Sequence, residues 1–255
     1  MTNLSINLNK IALLRNQRDI GYPDPVAAGN RVLQAGANGL TVHPRPDQRH
    51  IRTQDVAGIA AMIHDQGWSK RGVEFNIEGF PSDDFIKLVL AVKPDQVTLV
   101  PDAPDAKTSD HGWRLEQPAP FLAAAMGELR AANIRISMFL DAESDAQIMQ
   151  AQLDAAKALG ADAVELYTEP YAMNYDGGEC KGALAQFSRA AKLADRLGLR
   201  VNAGHDLNLE NLGYFKQHIS PLAEVSIGHA FTADALWMGF DRAISAYKAA
   251  LGDIA

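Results

Sequence analysis

Short apolar or β-branched segments recur along the whole chain, and longer stretches with helical spacing of apolar residues follow them. The short segments have the length of strands, and the long ones often open at capping residues and close at glycine, as helices do. The predicted strands occupy residues 4–8, 39–43, 73–78, 96–100, 134–140, 163–167, 200–203 and 224–227. The clearest predicted helices are 25–35, 144–159 and 181–197, ending at Gly36, Gly160 and Gly198.

Strand and helix alternate from end to end, without a Pro/Ser-rich linker or a change in composition. Alternating units of this kind imply a parallel sheet. Eight of them in 255 residues are typical of a closed (β/α)₈ barrel. We therefore predict one α/β domain over residues 1–255, built as a TIM barrel. An open doubly wound sheet is the alternative, but no Gly-x-Gly-x-x-Gly motif follows any predicted strand.

Composition and charge narrow the class of partner. The chain is 47% hydrophobic and 22% charged, with a net charge of −7 and no long basic tract, which argues against a nucleic-acid ligand. No apolar run approaches membrane-spanning length, and the N-terminus has no signal-peptide pattern. A single cysteine, Cys180, excludes an internal disulfide framework. We therefore expect a cytoplasmic protein with no membrane partner.

The densest cationic cluster follows the second predicted strand. Residues 42–51 contain two His, two Arg and two Pro, and Arg52 comes next. A guanidinium matches phosphate oxygens two at a time, so Arg45, Arg49 and His50, together with Arg18, predict binding of a small phosphorylated ligand. The alternative is a solvated basic turn in which some arginines, Arg49 above all, pair with surface acids.

Polar side chains stand where the predicted strands end, which is the catalytic face of a (β/α)₈ barrel. A single histidine at such a position is more often structural than catalytic. Three histidines and a glutamate that converge on one axis nevertheless predict a site. The strand-end residues are Asn7, Asn9, His43, Glu78, Asp102, Asp141, Glu165, Thr168, His205, Gly228 and His229. The other histidines, His64, His111 and His218, are predicted to be structural or solvated.

These residue types favour acid–base chemistry. No His-x-His or His-x-x-x-His pair offers two metal ligands, and no Gly-x-Ser-x-Gly elbow is present. Histidines and a buried carboxylate can exchange protons near neutral pH. Gly228 and His229 open the last helix, where free backbone N–H groups favour a phosphate. Two long connections, 101–118 and 168–178, are either binding segments or surface insertions.

Several stretches match one known family in order along the chain. Two specific ones are His43-Pro-Arg-Pro-Asp-Gln-Arg-His-Ile51 and Val201-Asn-Ala-Gly-His205. Residues 7–18, 22–25, 76–78, 99–101 and 227–229 match as well. On these stretches the chain resembles the pyridoxine 5′-phosphate synthase family of vitamin B6 biosynthesis.

The resemblance implies a (β/α)₈ barrel with extra helices that assembles into a homo-octamer. It also implies a transferase that condenses 1-deoxy-D-xylulose 5-phosphate with 3-amino-1-hydroxyacetone 1-phosphate into pyridoxine 5′-phosphate, phosphate and water. No metal or organic cofactor is implied. Two alternatives stay open: a non-catalytic sugar-phosphate-binding barrel, and a phosphate lyase or aldolase that uses Lys10 as a Schiff base.

The resemblance also implies a role for each site residue. His43, Glu78 and His205 would be the acid–base catalysts. The amino-ketone phosphate would contact Asn7, Arg18, Gly228 and His229, and the deoxyxylulose phosphate would contact Asn9, Lys10, Arg45, His50 and Thr108.

Two positions depart from the family pattern. Asn9-Lys10 stands where many members have Asp-His, and Asp206 stands where a glycine N–H commonly touches substrate. Lysine can contact a phosphate but cannot act as a near-neutral base. The backbone contact at Asp206 survives if the turn does not require a positive φ there.

Overall fold

The eight predicted strands form one parallel sheet that closes on itself. The computed structural model describes residues 1–18, 20–102, 109–115, 120–176, 179–180 and 182–253. The barrel strands are β1 (Asn3–Asn7), β2 (Gly39–Val42), β3 (Glu74–Gly79), β4 (Gln96–Leu99), β5 (Arg135–Leu140), β6 (Ala163–Leu166), β9 (Arg200–Gly204) and β10 (Glu224–Ile227). They close in the order β1-β10-β9-β6-β5-β4-β3-β2. A short antiparallel pair, β7 (Tyr175–Asp176) and β8 (Glu179–Cys180), lies outside the barrel. The (β/α)₈ prediction is confirmed.

Helices connect the strands. They are α1 (Asn9–Arg15), α2 (Pro25–Gln34), α3 (Thr53–Asp65), α4 (Asp83–Val92), α5 (Pro120–Ala131), α6 (Ala146–Leu159), α7 (Glu169–Met173), α8 (Ala183–Arg196), α9 (Leu212–His218) and α10 (His229–Ala250), with a 3₁₀ turn at Ser69–Arg71. Helix α10 is kinked at Gly239, which has φ 76°. None of the described helices combines the length and apolar character needed to cross a bilayer.

The helix boundaries follow from capping residues. Asp24 accepts hydrogen bonds from the backbone N–H groups of Val26 and Ala27, and Pro25 occupies the first turn, where its missing N–H costs nothing. Helix α6 begins after Asp145, whose carboxylate accepts from two backbone N–H groups, and not at Ser144 as the sequence suggested. The predicted terminator Gly160 adopts φ 95°, a conformation that glycine reaches without a steric penalty.

The strands present apolar side chains to the helices and polar side chains to the barrel axis. Asn202 on β9 donates to Gln96 on β4 at 3.3 Å, and Thr98 on β4 donates to Glu165 on β6 at 3.4 Å. Neither pair of strands is adjacent, so these side chains meet inside the barrel. Barrels of this fold are normally filled by branched apolar residues. Here the polar interior leads to the face where the strands end.

The end of this interior opposite that face holds a cluster of partly buried charges. Arg135 donates to Glu74 at 2.5 Å and to Gln96 at 2.9 Å, and Arg200 lies 3.6 Å from the other oxygen of Glu74. Glu224 is only 3% exposed. Burial, reinforced by Glu74 and Glu165, raises the pKa of Glu224 to about 8, while Arg135 and Arg200 oppose the rise. Glu224 therefore favours its protonated form in the folded protein.

We expect Glu224→Gln to flatten the pH dependence of stability. The folded pKa of Glu224 lies above its ordinary value of 4.5, so the unfolded chain ionises first. Wild-type stability should therefore fall as pH rises from 4.5 through about 8, by an amount on the order of a few kcal/mol. Glutamine does not ionise. The melting temperatures of wild type and of the variant, measured from pH 5 to pH 9, should therefore diverge, with the variant more stable at high pH. Glu128→Gln, on the exposed face of α5, is the matched control, and parallel curves for wild type and Glu224→Gln would contradict the expectation.

Candidate active site

A cavity of about 540 Å³ opens at the face of the barrel where the strands end. Most of the predicted site residues line it: Asn7, Asn9, Lys10, His43, Arg45, His50, Glu78, His205, Asp206, Gly228 and His229. Two do not belong to this set. Arg18 is exposed and does not line the cavity, and Thr108 lies outside the described residues.

His43 and Glu78 face each other at the ends of β2 and β3. The Nδ1 atom of His43 lies 3.9 Å from Oε2 of Glu78, and Asn7 donates to the same oxygen at 3.3 Å. Asn9 accepts a hydrogen bond of 2.9 Å from the backbone N–H of His43. Asn7 at the end of β1 and Asn9 at the start of α1 therefore hold the two acid–base groups in place.

Burial shifts the pKa of both groups toward their neutral forms. It lowers the pKa of His43 well below 6.5, and the positive charge of Arg45 lowers it further. Burial also raises the pKa of Glu78 well above 4.5, with Glu165 adding repulsion. The 3.9 Å contact therefore joins a neutral imidazole to a carboxyl group that favours its protonated form, and it is not an ion pair. A neutral imidazole in this position can accept a proton.

His205, at the end of β9, has the opposite pKa shift. Burial, the largest single influence, would lower its pKa, but the hydrogen bond of 2.9 Å between Nδ1 and the Asp206 carboxylate, together with the negative charges of Asp206, Glu165 and Asp102, raises the pKa above 6.5. The residue adopts φ 66°, in the left-handed region that non-glycine residues rarely occupy. Such strain is typical of functional positions. His205 thus holds its proton more strongly than a free imidazole, and in its protonated form it can donate that proton.

Asp206 differs from the glycine of the family pattern, and the turn tolerates the change. The positive φ falls on His205, one residue earlier. The backbone N–H of Asp206 donates to the carbonyl of Gly204 at 2.9 Å and to the Thr168 hydroxyl at 3.2 Å. The carboxylate of Asp206 is directed at His205, so its negative charge stabilises the protonated imidazole.

Glu165 lines the inner part of the cavity from β6. It is 4% exposed, and burial raises its pKa to about 7, against the opposing effect of His205. A side chain on the residue at 204 would come within 3.2 Å of Glu165 and 2.4 Å of the Ser226 carbonyl, so the glycine there permits the close approach. The sequence placed Glu165 at a strand end but assigned it no role. Its burial and the resulting pKa make it a further group able to exchange protons near neutral pH.

The cationic segment, defined here as residues 45–50, forms one wall of the cavity. The guanidinium of Arg45 is paired with Asp102 in a buried contact, and Ser109 donates to the same carboxylate at 2.7 Å. Burial lowers the pKa of His50 to about 4, aided by Arg45 and Lys10. The Nδ1 atom of His50 accepts from the backbone N–H of Ile51 at 2.9 Å, which leaves Nε2 as the donor.

Arg49 forms the surface pair that the sequence suggested. Its Nε lies 2.7 Å from the carboxylate of Asp47, and it also contributes to the cavity wall.

The three histidines predicted to be structural or solvated do not line the cavity. His64 is exposed on α3 beside Asp65, His111 is exposed beside Asp110, and the ring of His218 contacts that of Tyr214 in α9 with 4.2 Å between centroids. The side chain of Cys180 lies outside the described residues.

Gly228 and His229 open helix α10 beside the end of β1. A Cβ atom on residue 228 would lie 3.0 Å from the Cβ of Asn7 and 3.2 Å from its carbonyl oxygen, so glycine allows this close packing.

Across the described ranges, no group of three or more His, Cys, Asp or Glu side chains is arranged to hold a metal ion.

Comparison with known proteins places this site in a family. The sequence profile described as "Pyridoxal phosphate biosynthesis protein PdxJ" matches residues 4–253. The chain belongs to the PdxJ family. A protein of Chelativorans sp. (strain BNC1) named pyridoxine 5′-phosphate synthase is 52% identical over 249 residues, covering 97% of each chain. One of the same name from Parabacteroides distasonis is 49% identical over 251 residues, covering 98% of this chain and 99% of the relative.

More distant solved structures share the barrel alone. Phosphoribosyl anthranilate isomerase from Thermotoga maritima superposes with a TM-score of 0.60 at 16% identity, covering 100% of both chains. The 3-keto-L-gulonate-6-phosphate decarboxylase from Vibrio cholerae gives 0.63 at 12% identity, covering 98% of this chain and 97% of the other. These likenesses support the fold of the PdxJ family member and say nothing about its substrates.

Sequence reasoning missed several cavity residues of this PdxJ family member. Thr98 and Ser226 lie inside strands rather than at their ends, and Val100 and Phe139 supply an apolar part of the wall. The signal for the first two was present in the sequence. Polar residues alternate with apolar ones along β4 and β10, so one face of each strand is polar. A polar face is unusual for a barrel core, which is normally filled by branched apolar residues.

Proposed function

We propose that this chain is a pyridoxine 5′-phosphate synthase, condensing 1-deoxy-D-xylulose 5-phosphate with 3-amino-1-hydroxyacetone 1-phosphate into pyridoxine 5′-phosphate, phosphate and water. Membership of the PdxJ family and full-length relatives of that name support the activity. The observation that carries the proposal is one cavity in which the pKa of His43 is lowered and that of His205 is raised. Such a pair supplies a base and an acid at the same pH.

The chemistry requires several proton transfers. An amine adds to a ketone, water leaves the carbinolamine, a phosphate is eliminated, and the ring closes. We assign the role of base to neutral His43 and the role of acid to protonated His205. Glu78, held by Asn7, is within reach of His43 and can exchange protons with the reacting skeleton. None of these steps requires a permanent nucleophile on the protein.

Cationic side chains and backbone N–H groups lie on two sides of the cavity. Their placement supports the binding of two phosphorylated substrates. Lys10 from the start of α1, and Arg45 and His50 from the segment that follows β2, would hold the deoxyxylulose phosphate. Asn7, Gly228 and His229 would hold the amino-ketone phosphate, with the start of α10 contributing backbone N–H groups. Arg18 is exposed and lies away from the cavity wall, so its assignment to this phosphate rests on the family resemblance alone.

The test is turnover. Purified protein with both substrates should produce the pyridoxine 5′-phosphate chromophore and release inorganic phosphate, and the His43→Asn protein should not do so at a comparable rate. Binding of deoxyxylulose phosphate without product would favour the non-catalytic alternative. A borohydride-stable adduct on Lys10 would favour the Schiff-base alternative. Either result overturns the proposal.

We also propose a cytoplasmic homo-octamer. Leu236 and Trp237 on α10 are 72% and 88% exposed, an amount of apolar surface that supports burial against another subunit. The single cysteine is compatible with a reducing compartment. Light scattering on the assay preparation checks the assembly, and a mass near 27.6 kDa, that of one chain, would contradict it.

A further inference from the structure

Asn16 holds the cationic segment from outside the cavity. Its side-chain amide nitrogen donates to three successive backbone carbonyls, those of Gln48 at 3.2 Å, Arg49 at 3.0 Å and His50 at 2.9 Å. Asn16 follows α1 and does not line the cavity. The three carbonyl oxygens therefore converge on a residue behind the segment.

Arg15 fixes the orientation of Asn16. The Nε of Arg15 donates to the side-chain oxygen of Asn16 at 3.0 Å, which directs the amide nitrogen of Asn16 toward the carbonyls. One guanidinium nitrogen of Arg15 also donates to the carbonyl of His50 at 3.1 Å. Arg15 makes no contact with the cavity, so its charge acts on the backbone of the segment.

Asp55 in turn holds Arg15. Its two carboxylate oxygens accept from Arg15 at 2.5 Å and 2.9 Å, a two-point contact in which both side chains are 7% exposed. One of these oxygens also accepts from the backbone N–H of Arg52 at 2.7 Å. The network thus ties helices α1 and α3 to the segment between them, and two-point contacts of this kind fix geometry as well as adding energy.

The segment has little regular structure of its own. Gln48 adopts φ 52°, and the backbone contact within the segment is that of the Gln48 N–H with the Arg45 carbonyl at 2.9 Å. A wall that binds an anion must turn its carbonyl oxygens away from the anion, because the two repel each other. The network achieves this by giving the carbonyls of residues 48–50 donors on the opposite side.

We propose that Arg15 and Asn16 are positioning residues for binding of the phosphorylated ketose. They hold the backbone of the cationic segment so that Arg45 and His50 face the cavity. The inference rests on the proposed function, since it assumes that the deoxyxylulose phosphate occupies this wall. Neither residue touches a substrate, and both act through the segment.

The variant that tests this is Asn16→Ala. Asn16 is half-buried, so its truncation removes the two amide N–H donors shared among the carbonyls of residues 48–50, and the acceptor of Arg15, without emptying the core. We expect the KM for deoxyxylulose 5-phosphate to rise about tenfold or more, and kcat to change by less than about threefold. The KM for the amino-ketone phosphate should stay within about twofold, because the cavity residues assigned to it, Asn7, Gly228 and His229, are held by other contacts than those of Asn16. The matched control is Gln17→Ala, since the exposed Gln17 donates only at 3.5 Å to the Leu13 carbonyl.

A second measurement does not depend on turnover. Amide hydrogen exchange in a peptide spanning residues 45–52 should accelerate in Asn16→Ala and not in Gln17→Ala, while strand peptides stay protected. An unchanged KM for the ketose phosphate in an active enzyme, or equal increases for both substrates, would overturn the positioning role. Absence of turnover in the wild type would overturn the proposed function instead. Calorimetric titration of both proteins with deoxyxylulose 5-phosphate would then decide the positioning role, and equal affinities would reject it.

Discussion

Replacing His43 with asparagine should lower kcat by about 10²- to 10⁴-fold while leaving substrate affinity nearly unchanged. Asparagine is polar and smaller than histidine, so it fits the buried position at the end of β2. It cannot accept and return a proton near neutral pH. The burial that lowers the pKa of His43 makes the imidazole an available base, and this is the property that the substitution removes.

Steady-state kinetics with both substrates, together with direct titration of each substrate, separates the two effects. The matched control is His64→Asn, because His64 is exposed on α3 and lies outside the cavity. That variant should retain wild-type kinetics. A His43→Asn enzyme that loses affinity as strongly as it loses kcat would show that His43 binds substrate rather than exchanging its protons.

The fold was predictable because its signal is local and repeated. Each strand is a short buried segment before a helix, and the repeat occurs often enough to define a barrel. The catalytic face followed from the same pattern, since polar residues at strand ends must converge when the strands are parallel. This is why His43, Glu78 and His205 could be grouped although they are far apart in sequence.

The parts that could not be predicted depend on pairs of residues distant in the chain. Arg45 and Asp102 are 57 positions apart, and the sequence does not indicate that they pair in a buried contact. Arg15 and Asp55 are 40 positions apart, in two different helices. The proton-exchanging character of Glu165 depends on its burial, which no local pattern reveals.

The described part of the first long connection, residues 101–118, contacts the barrel, since Trp113 donates to the carbonyl of Leu99 at 2.9 Å.

The Arg45–Asp102 pair changes what Arg45→Ala is expected to do. The substitution should weaken binding of the ketose phosphate, because a guanidinium of the cavity wall is lost. It should also destabilise the fold, because the Asp102 carboxylate, 4% exposed, is left buried without its cation. Removing one partner of a buried pair costs about 3–5 kcal/mol. For a chain of this length each kcal/mol lowers the melting temperature by roughly 2–4 °C, so a fall on the order of 10 °C is expected.

A second substitution separates binding from stability. Adding Asp102→Asn to Arg45→Ala removes the uncompensated charge, so most of the lost stability should return while substrate affinity stays low. Arg31→Ala is the control for loss of an ion pair, because Arg31 and Asp241 are 49% and 59% exposed and such pairs contribute only about 0–1 kcal/mol. Calorimetric melting and ligand titration of the variants measure both quantities. If the double variant recovers affinity together with stability, Arg45 acts by neutralising Asp102 and not by binding phosphate.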